Sequence, residues 1–281
     1  MATNSLILSG KEMENLKAVI NEISLNKYPI TNKYELLRVK DQNINLILYN
    51  TGKLVFNENP ETLDILNSIL ERQTGYDYFL GSDETGKGEW YGPLVVVVTA
   101  LKPEEIIKLR LMGVKDSKTI KTAKIIEIAR QILETEITYN SIILNPQTFN
   151  KLCTEFKMEG KNLNDLMAWA HSRVIGDILK RIEFNQAKIV IDRFDREKTE
   201  KRLKKLEDSR INVIQKTKGE SEIPVAAASI IAKYLFEMEV DKLNRRYELK
   251  LKNSSPEEIN PEILQDVAKE HFKNVKNYLK K

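Results

Sequence analysis

Two adjacent carboxylates, Asp83 and Glu84, stand in the segment GSDETGKGEWYGP, where the chain can turn through Gly86 and Gly88. Hard divalent cations prefer carboxylate oxygens as ligands, so the pair indicates metal chemistry. Neighbouring side chains on a regular strand point to opposite faces, so both acids serve one site only if the strand ends or twists here. The glycines favour such a turn, although two solvated loop acids explain the segment alone equally well.

A phosphate-binding loop is the competing interpretation, because Gly81 to Lys87 matches most of the pattern G-x-x-x-x-G-K-S/T. Position 88 is Gly, so the hydroxyl that would bind magnesium is missing. Asp83 and Glu84 would also place two negative charges against the phosphates. The next run, PLVVVVTAL, predicts a strand where such a loop needs a helix. These mismatches argue against a nucleotide triphosphatase.

Two further acids stand where they can join the pair. Asp192 ends the apolar run AKIVID, and ligand sites in open α/β sheets favour the carboxyl ends of strands. Glu220 lies in the polar loop KGES and, taken alone, is interpreted as a solvated loop acid. The helix that follows it starts with the small residues of VAAAS, which are explained by tight packing of a helix on a sheet.

The elements that must position these acids form two parts. Residues 1–75 combine a helical apolar pattern, three short strand-like runs with turns that favour an antiparallel meander, and a helix from about Pro60 to Gln73. Residues 76–281 alternate strands with helices, which predicts an α/β domain. Its helices are predicted at about 121–134, 162–182, 197–207, 225–246 and 261–279.

Composition excludes several classes of protein. The 281 residues carry a formal net charge of +4, which permits a nucleic-acid partner. The longest apolar run, Leu94 to Val98, is far shorter than the roughly 20 residues of a membrane-spanning helix. No secretion leader is recognised, so a cytoplasmic location is expected. One cysteine, Cys153, with His171 and His271 gives neither a disulfide nor a Cys/His zinc site, so oxygen ligands must bind any metal.

The motifs GSDETGKGEWYGPLVVV, VKDSK, IVIDRF, KGES and VAAASIIAKY, in this order, resemble the type 2 ribonuclease H family. Glu220 in place of an Asp, together with the separate N-terminal part, favours the ribonuclease HIII branch. The resemblance implies an α/β fold with a ribonuclease H-like mixed sheet flanked by helices. A small α+β domain, residues 1–75, that is similar to the TATA-binding protein would precede it and bind substrate. The implied activity is endonucleolytic hydrolysis of the RNA strand of RNA/DNA hybrids.

The resemblance assigns Asp83, Glu84, Asp192 and Glu220 to the binding of two divalent cations, Mg²⁺ or Mn²⁺. Two ions about 3.5–4 Å apart can activate a water molecule and stabilise the leaving oxygen of a phosphodiester. Bound cations also relieve the repulsion among four neighbouring acids. The products expected from this chemistry carry 5′-phosphate and 3′-hydroxyl ends.

The same likeness assigns Gly86, Lys87 and Gly88 to the substrate backbone near a ribose 2′-hydroxyl, the group that distinguishes RNA from DNA. It assigns Ser117 and Lys118 to phosphate oxygens, contacts that position a duplex without reading its sequence. A helix cap by Asp116-Ser117 before Thr119 is an equally good interpretation, and the two roles are compatible.

The sequence also permits other activities and leaves the role of the N-terminal domain undetermined. One alternative activity is ribonuclease HII-like cleavage at single ribonucleotides in duplex DNA, and another is hybrid binding without catalysis. Residues 1–75 hold 8 basic and 9 acidic residues, so this domain must concentrate its lysines on one face or contribute little to phosphate binding. His171 lies on an apolar helix and is interpreted as a packed residue. A monomer is expected.

Overall fold

The computed structural model describes residues 3–114, 122–192, 197, 208–217 and 219–280. The chain forms two compact units, Met1–Tyr78 with Leu101–Val114 and Phe79–Ala100 with Lys115–Lys281. The sequence predicts a division after residue 75, whereas the first compact unit continues to Tyr78 and includes Leu101–Val114. Within these ranges, none of the helices combines the length and apolar character that crossing a membrane requires.

The first unit contains a four-stranded antiparallel sheet. Its elements are β1 (Thr3–Ile7), α1 (Gly10–Glu22), β2 (Glu35–Asp41), β3 (Ile44–Tyr49), β4 (Lys53–Asn57), α2 (Pro60–Thr74) and α3 (Pro103–Leu111). The strand order β1-β4-β3-β2 confirms the predicted meander of β2, β3 and β4. Helix α3 contacts α2 and β1 and buries Ile106, Ile107 and Leu109. This packing explains why Leu101–Val114 belongs to the first unit.

The second unit is built on a five-stranded mixed sheet. Its elements are β5 (Tyr78–Thr85), β6 (Leu94–Leu101), α4 (Thr122–Glu134), β7 (Thr138–Leu144), α5 (Pro146–Met158), α6 (Leu163–Leu179), β8 (Ala187–Asp192), β9 (Ile211–Lys216), α7 (Ile223–Tyr247), α8 (Pro261–Val267) and α9 (Lys273–Leu279). The strand order is β7-β6-β5-β8-β9, with β6 and β7 antiparallel and β8 and β9 parallel. This sheet and its helices confirm the predicted α/β fold class. Apart from Glu197, the predicted helix at 197–207 lies outside the described residues.

Helix α7 packs unusually close to the central strand β5. A Cβ atom added at Gly81 would lie 2.1 Å from the backbone nitrogen of Val225 and 2.2 Å from the carbonyl carbon of Pro224. The first turns of α7 are buried, including Ala226 and Ala227. The small residues of VAAAS therefore serve tight packing, as the sequence predicts, and Gly81 is the matching small residue on the strand.

The C-terminal segment differs from the single helix predicted at 261–279. It forms the two short helices α8 and α9, separated by a stretch that leaves the helical path. In this stretch Ala268 forms an antiparallel bridge with Tyr91, and the backbone N–H of Lys269 donates to the carbonyl of Trp90. Pairing with another part of the chain thus replaces helical hydrogen bonds here.

Candidate active site

The predicted acids lie at the ends of two neighbouring strands. Asp83 and Glu84 are at the end of β5, Asp192 is the last residue of β8, and β5 and β8 are adjacent in the sheet. All three line one groove of about 510 Å³. Its other lining residues are Thr85, Gly86, Lys87, Gly88, Glu89, Thr122, Ile125, Ser229 and Lys233. The structure therefore brings together three of the four predicted acids.

Asp83 and Glu84 have different partners, because different helices cover the two sides of β5. The Ser229 hydroxyl on α7 donates a hydrogen bond to Asp83. His171 on α6 contacts both Ser82 and Glu84, which are two residues apart on the strand. Adjacent strand residues normally point to opposite faces. The pair serves one groove because it lies where the strand ends.

The carboxyl group of Asp83 resists ionisation in the metal-free protein. Burial removes water from the charged form, and the adjacent negative charge of Glu84 adds repulsion. Together they raise the pKa of Asp83 to about 7. The hydrogen bond from Ser229 favours the charged form and lowers the pKa, but it does not outweigh these two effects. A cation in the groove would relieve this repulsion.

Glu84 is instead held in its charged form. Burial raises its pKa, but the hydrogen bond and charge of His171, together with the charge of Lys87, outweigh burial and hold the pKa below its ordinary value. Nε2 of His171 lies 3.1 Å from Oε2 of Glu84, and Nζ of Lys87 lies 3.7 Å from Oε1. His171 is fully buried, as the interpretation of a packed residue requires, yet it also contacts the site. A polar ring on an apolar helix is the signal in the sequence that could have indicated this contact.

Asp192 is connected to the segment that carries Glu220. The backbone N–H of Gly219 donates to Oδ1 of Asp192 at 3.0 Å, and a Cβ atom at Gly219 would lie 3.1 Å from Cα of Asp192. Gly219 begins the 3-10 turn Gly219–Ser221, so the backbone of Glu220 lies beside the end of β8. The side chain of Glu220, and all of Ser117 and Lys118, lie outside the described residues.

The glycines of the loop after β5 have distinct local environments. Gly86 has a φ of +95°, and a Cβ atom there would lie 2.1 Å from the carbonyl oxygen of Pro93. This position requires glycine for the turn itself. A Cβ atom at Gly88 would meet no described atom within 4 Å. Gly88 therefore leaves open space in the groove, beside the half-exposed Lys87.

A buried lysine holds the far end of this loop. Nζ of Lys269 donates to the carbonyl oxygens of Tyr91 at 2.7 Å and Gly92 at 2.6 Å. The side chain is fully buried, and burial lowers the pKa of Lys269 to about 7. Gly92 N–H also donates to the carbonyl of Val267. Sequence reasoning misses the contact between Lys269 and Tyr91, because these residues are 178 positions apart.

The donor set of the groove suits a hard divalent cation. Asp83, Glu84 and Asp192 offer only oxygen ligands, and the raised pKa of Asp83 reflects a repulsion that a cation would remove. Among the side chains that the structure describes, no group of three His, Cys, Asp or Glu residues is placed so that it could hold a metal ion. The fourth predicted ligand, Glu220, is not among those side chains.

Comparisons with known proteins agree on one family. The family model "Ribonuclease HII" matches residues 80–278. A ribonuclease HIII from Chlamydia felis is 31% identical over 265 residues, covering 86% of this chain and 86% of that protein. A ribonuclease HIII from Bacillus mycoides is 34% identical over 200 residues, covering 69% of this chain and 62% of that protein.

Solved structures show the same fold over nearly the whole chain. A point mutant of Bst-RNase HIII superposes with a TM-score of 0.63 at 25% identity, covering 99% of this chain and 98% of that one. The same Bst protein has also been crystallised in complex with Mn²⁺. The likeness therefore includes both units.

Proposed function

We propose that this chain, which belongs to the family of ribonucleases HII and HIII, carries its catalytic site where the ends of β5 and β8 meet. The chain is an endoribonuclease that hydrolyses the RNA strand of RNA/DNA hybrids and depends on divalent metal ions. One observation carries the site: Asp83, Glu84 and Asp192 line one groove, and the turn that holds Glu220 hydrogen-bonds to Asp192. These four acids are the proposed catalytic residues.

Asp83, Glu84, Asp192 and Glu220 would hold Mg²⁺ or Mn²⁺. When bound, two such ions supply an activated water and stabilise the leaving oxygen of the phosphodiester. The protein contributes by fixing the ligands: the Ser229 hydroxyl holds Asp83, and the Gly219 N–H holds Asp192. Because the bond to the 3′-oxygen breaks, products with 5′-phosphate and 3′-hydroxyl ends follow.

The loop Gly86–Gly88 is proposed to bind the substrate backbone. The open space at Gly88 lets a ribose approach the peptide groups, and the Lys87 ammonium supplies a positive charge for phosphate. Ser117 and Lys118 are proposed to bind further phosphate oxygens. A monomeric state and a cytoplasmic location stay predictions.

Gly88→Ala tests this role, because the new methyl group would meet none of the described atoms within 4 Å. We expect normal thermal unfolding and a raised KM for hybrid cleavage, since the methyl group occupies space reserved for the substrate. Steady-state kinetics and a melting curve measure the two effects. An unchanged KM in a normally folded variant would place the substrate elsewhere.

The outer face of the first unit's sheet is the proposed second contact with the hybrid. Alternate strand residues such as Leu46 and Leu48 are buried, and their neighbours face outward. Among the described strand residues, Lys40 and Lys53 are exposed on this outward face, while Arg38 is ion-paired with Glu35. The lysines of a domain with net charge −1 are thus partly concentrated where a duplex can lie.

The double variant Lys40→Ala/Lys53→Ala is expected to weaken hybrid binding more at low salt than at high salt. Each lost phosphate contact lowers the slope of log affinity against log salt by about 0.9. Binding measured without metal at several salt concentrations gives this slope. The matched control is Lys11→Ala/Lys17→Ala on α1, which changes the net charge equally. Equal effects of both double variants would show that the two sheet lysines act only through the net charge of the protein and make no specific phosphate contact.

Substrate choice separates the main function from cleavage at single ribonucleotides. The purified protein would be given an RNA/DNA hybrid and, separately, duplex DNA with one ribonucleotide. Faster cleavage within the hybrid, with ends that ligase and phosphatase identify as 3′-hydroxyl and 5′-phosphate, is expected. Preferred cleavage at the single ribonucleotide would assign a ribonuclease HII-like specificity.

A further inference from the structure

We propose that His171 is a positioning residue that holds the Glu84 carboxylate in its metal-binding orientation. His171 lies within α6 and is fully buried. Its ring bridges two residues of β5, with Nδ1 2.7 Å from Oγ of Ser82 and Nε2 3.1 Å from Oε2 of Glu84. The proposal rests on the assignment of Glu84 as a metal ligand.

The direction of the hydrogen bond between His171 and Glu84 is fixed by the ionised carboxylate, which can only accept. The Ser82 hydroxyl has one proton, which it donates either to the carbonyl of Val97, 2.9 Å away, or to Nδ1 of His171. In the first case Nδ1 of His171 donates to the Ser82 hydroxyl, and in the second Nδ1 accepts from it. In both cases the Nε2–H of His171 donates to Glu84, because the ionised carboxylate has no proton to give.

This contact restricts a flexible ligand. A glutamate side chain has three rotatable bonds, and fixing it costs conformational entropy. His171 holds Oε2, while Oε1 faces Lys87 at the open side of the groove. The ring is itself fixed by Ser82 and by its burial within α6. Glu84 is thus oriented before a cation arrives. Less of the free energy of metal binding is then lost to fixing the side chain.

The test compares His171→Leu with His171→Gln, because both fill the space but only glutamine keeps an N–H donor. Mn²⁺ binding is measured by titration calorimetry without substrate. Loss of such an outer partner typically weakens metal affinity about 10–100-fold, which is expected for leucine. Glutamine should recover much of this loss. Excess Mn²⁺ should restore part of the leucine variant's kcat, with hybrid affinity in chelator unchanged.

Thr99→Val is the matched control. Thr99 is also fully buried, and its hydroxyl donates to the carbonyl of Pro224 at 2.8 Å without touching Glu84. It should lose thermal stability but keep wild-type Mn²⁺ affinity. Wild-type affinity in His171→Leu, or an equal loss in Thr99→Val, would overturn the proposal.

A second variant covers the case in which the leucine protein does not fold. Ser82→Ala removes the other partner of the His171 ring, so weaker Mn²⁺ binding is expected, and unchanged binding would overturn the proposal. A wild-type protein that neither binds Mn²⁺ nor cuts hybrid would instead refute the proposed function. The two failures are therefore distinguishable.

Discussion

The variant Asp83→Asn is expected to lose at least about a thousandfold in kcat for hybrid cleavage, which corresponds to roughly 4 kcal/mol of transition-state stabilisation. An amide carries no charge, and it binds a divalent cation far more weakly than a carboxylate. Hybrid binding should persist, because the proposed phosphate contacts lie on other residues. Single-turnover cleavage and a binding assay in chelator measure the two quantities. Cleavage at the wild-type rate would show that Asp83 is not a catalytic residue.

The same variant should change how the stability of the metal-free protein depends on pH. The pKa of Asp83 is raised to about 7 from its ordinary value of 3.8. The protonated form is therefore favoured by folding, and this stabilisation is present below about pH 4 and lost as the pH rises through about 7. In chelator at about pH 8, Asp83→Asn should melt above wild type. Saturating Mn²⁺ should reverse the order, because only wild type has the full ligand set.

The variant Gly81→Ala is expected to destabilise the protein by about 3 kcal/mol or more. Its methyl group would lie 2.1 Å from the backbone nitrogen of Val225, and backbone atoms of a buried helix cannot move aside as a flexible side chain can. Helix α7 would have to move away from β5 and would carry Ser229 away from Asp83. Activity should therefore fall together with stability.

Denaturant unfolding measures this loss, and Gly88→Ala is the matched control. The same substitution at Gly88 meets no described atom within 4 Å, so its free energy of unfolding should stay within about 0.5 kcal/mol of wild type. A Gly81→Ala protein as stable as wild type would contradict the close approach of α7 to β5.

The sequence predicts the elements near the acids well, because their patterns are local. The apolar run before Asp83 and the run ending at Asp192 are strands, and the small residues after Glu220 start a buried helix. That both strand ends line one groove follows from the sheet order, which no local pattern contains. The strand ends indicated that Asp192 could join the pair, and the resemblance to a family added Glu220 as the fourth acid.

The features that sequence reasoning missed all depend on contacts between distant residues. Strand β1 pairs with β4 about 50 residues later, and α3 joins the first unit through packing. Lys269 interrupts the C-terminal helix by hydrogen-bonding to Tyr91 and Gly92. A buried lysine has no signature that distinguishes it from the many exposed ones in this chain.

The most direct measurement is cleavage of an end-labelled RNA strand paired with DNA, with and without Mg²⁺ or Mn²⁺. Cuts at several positions within the RNA, present only with metal, are expected from a two-metal site at Asp83, Glu84, Asp192 and Glu220. Tight binding of the hybrid without any cleavage in either metal would contradict the assignment of these acids as a catalytic site.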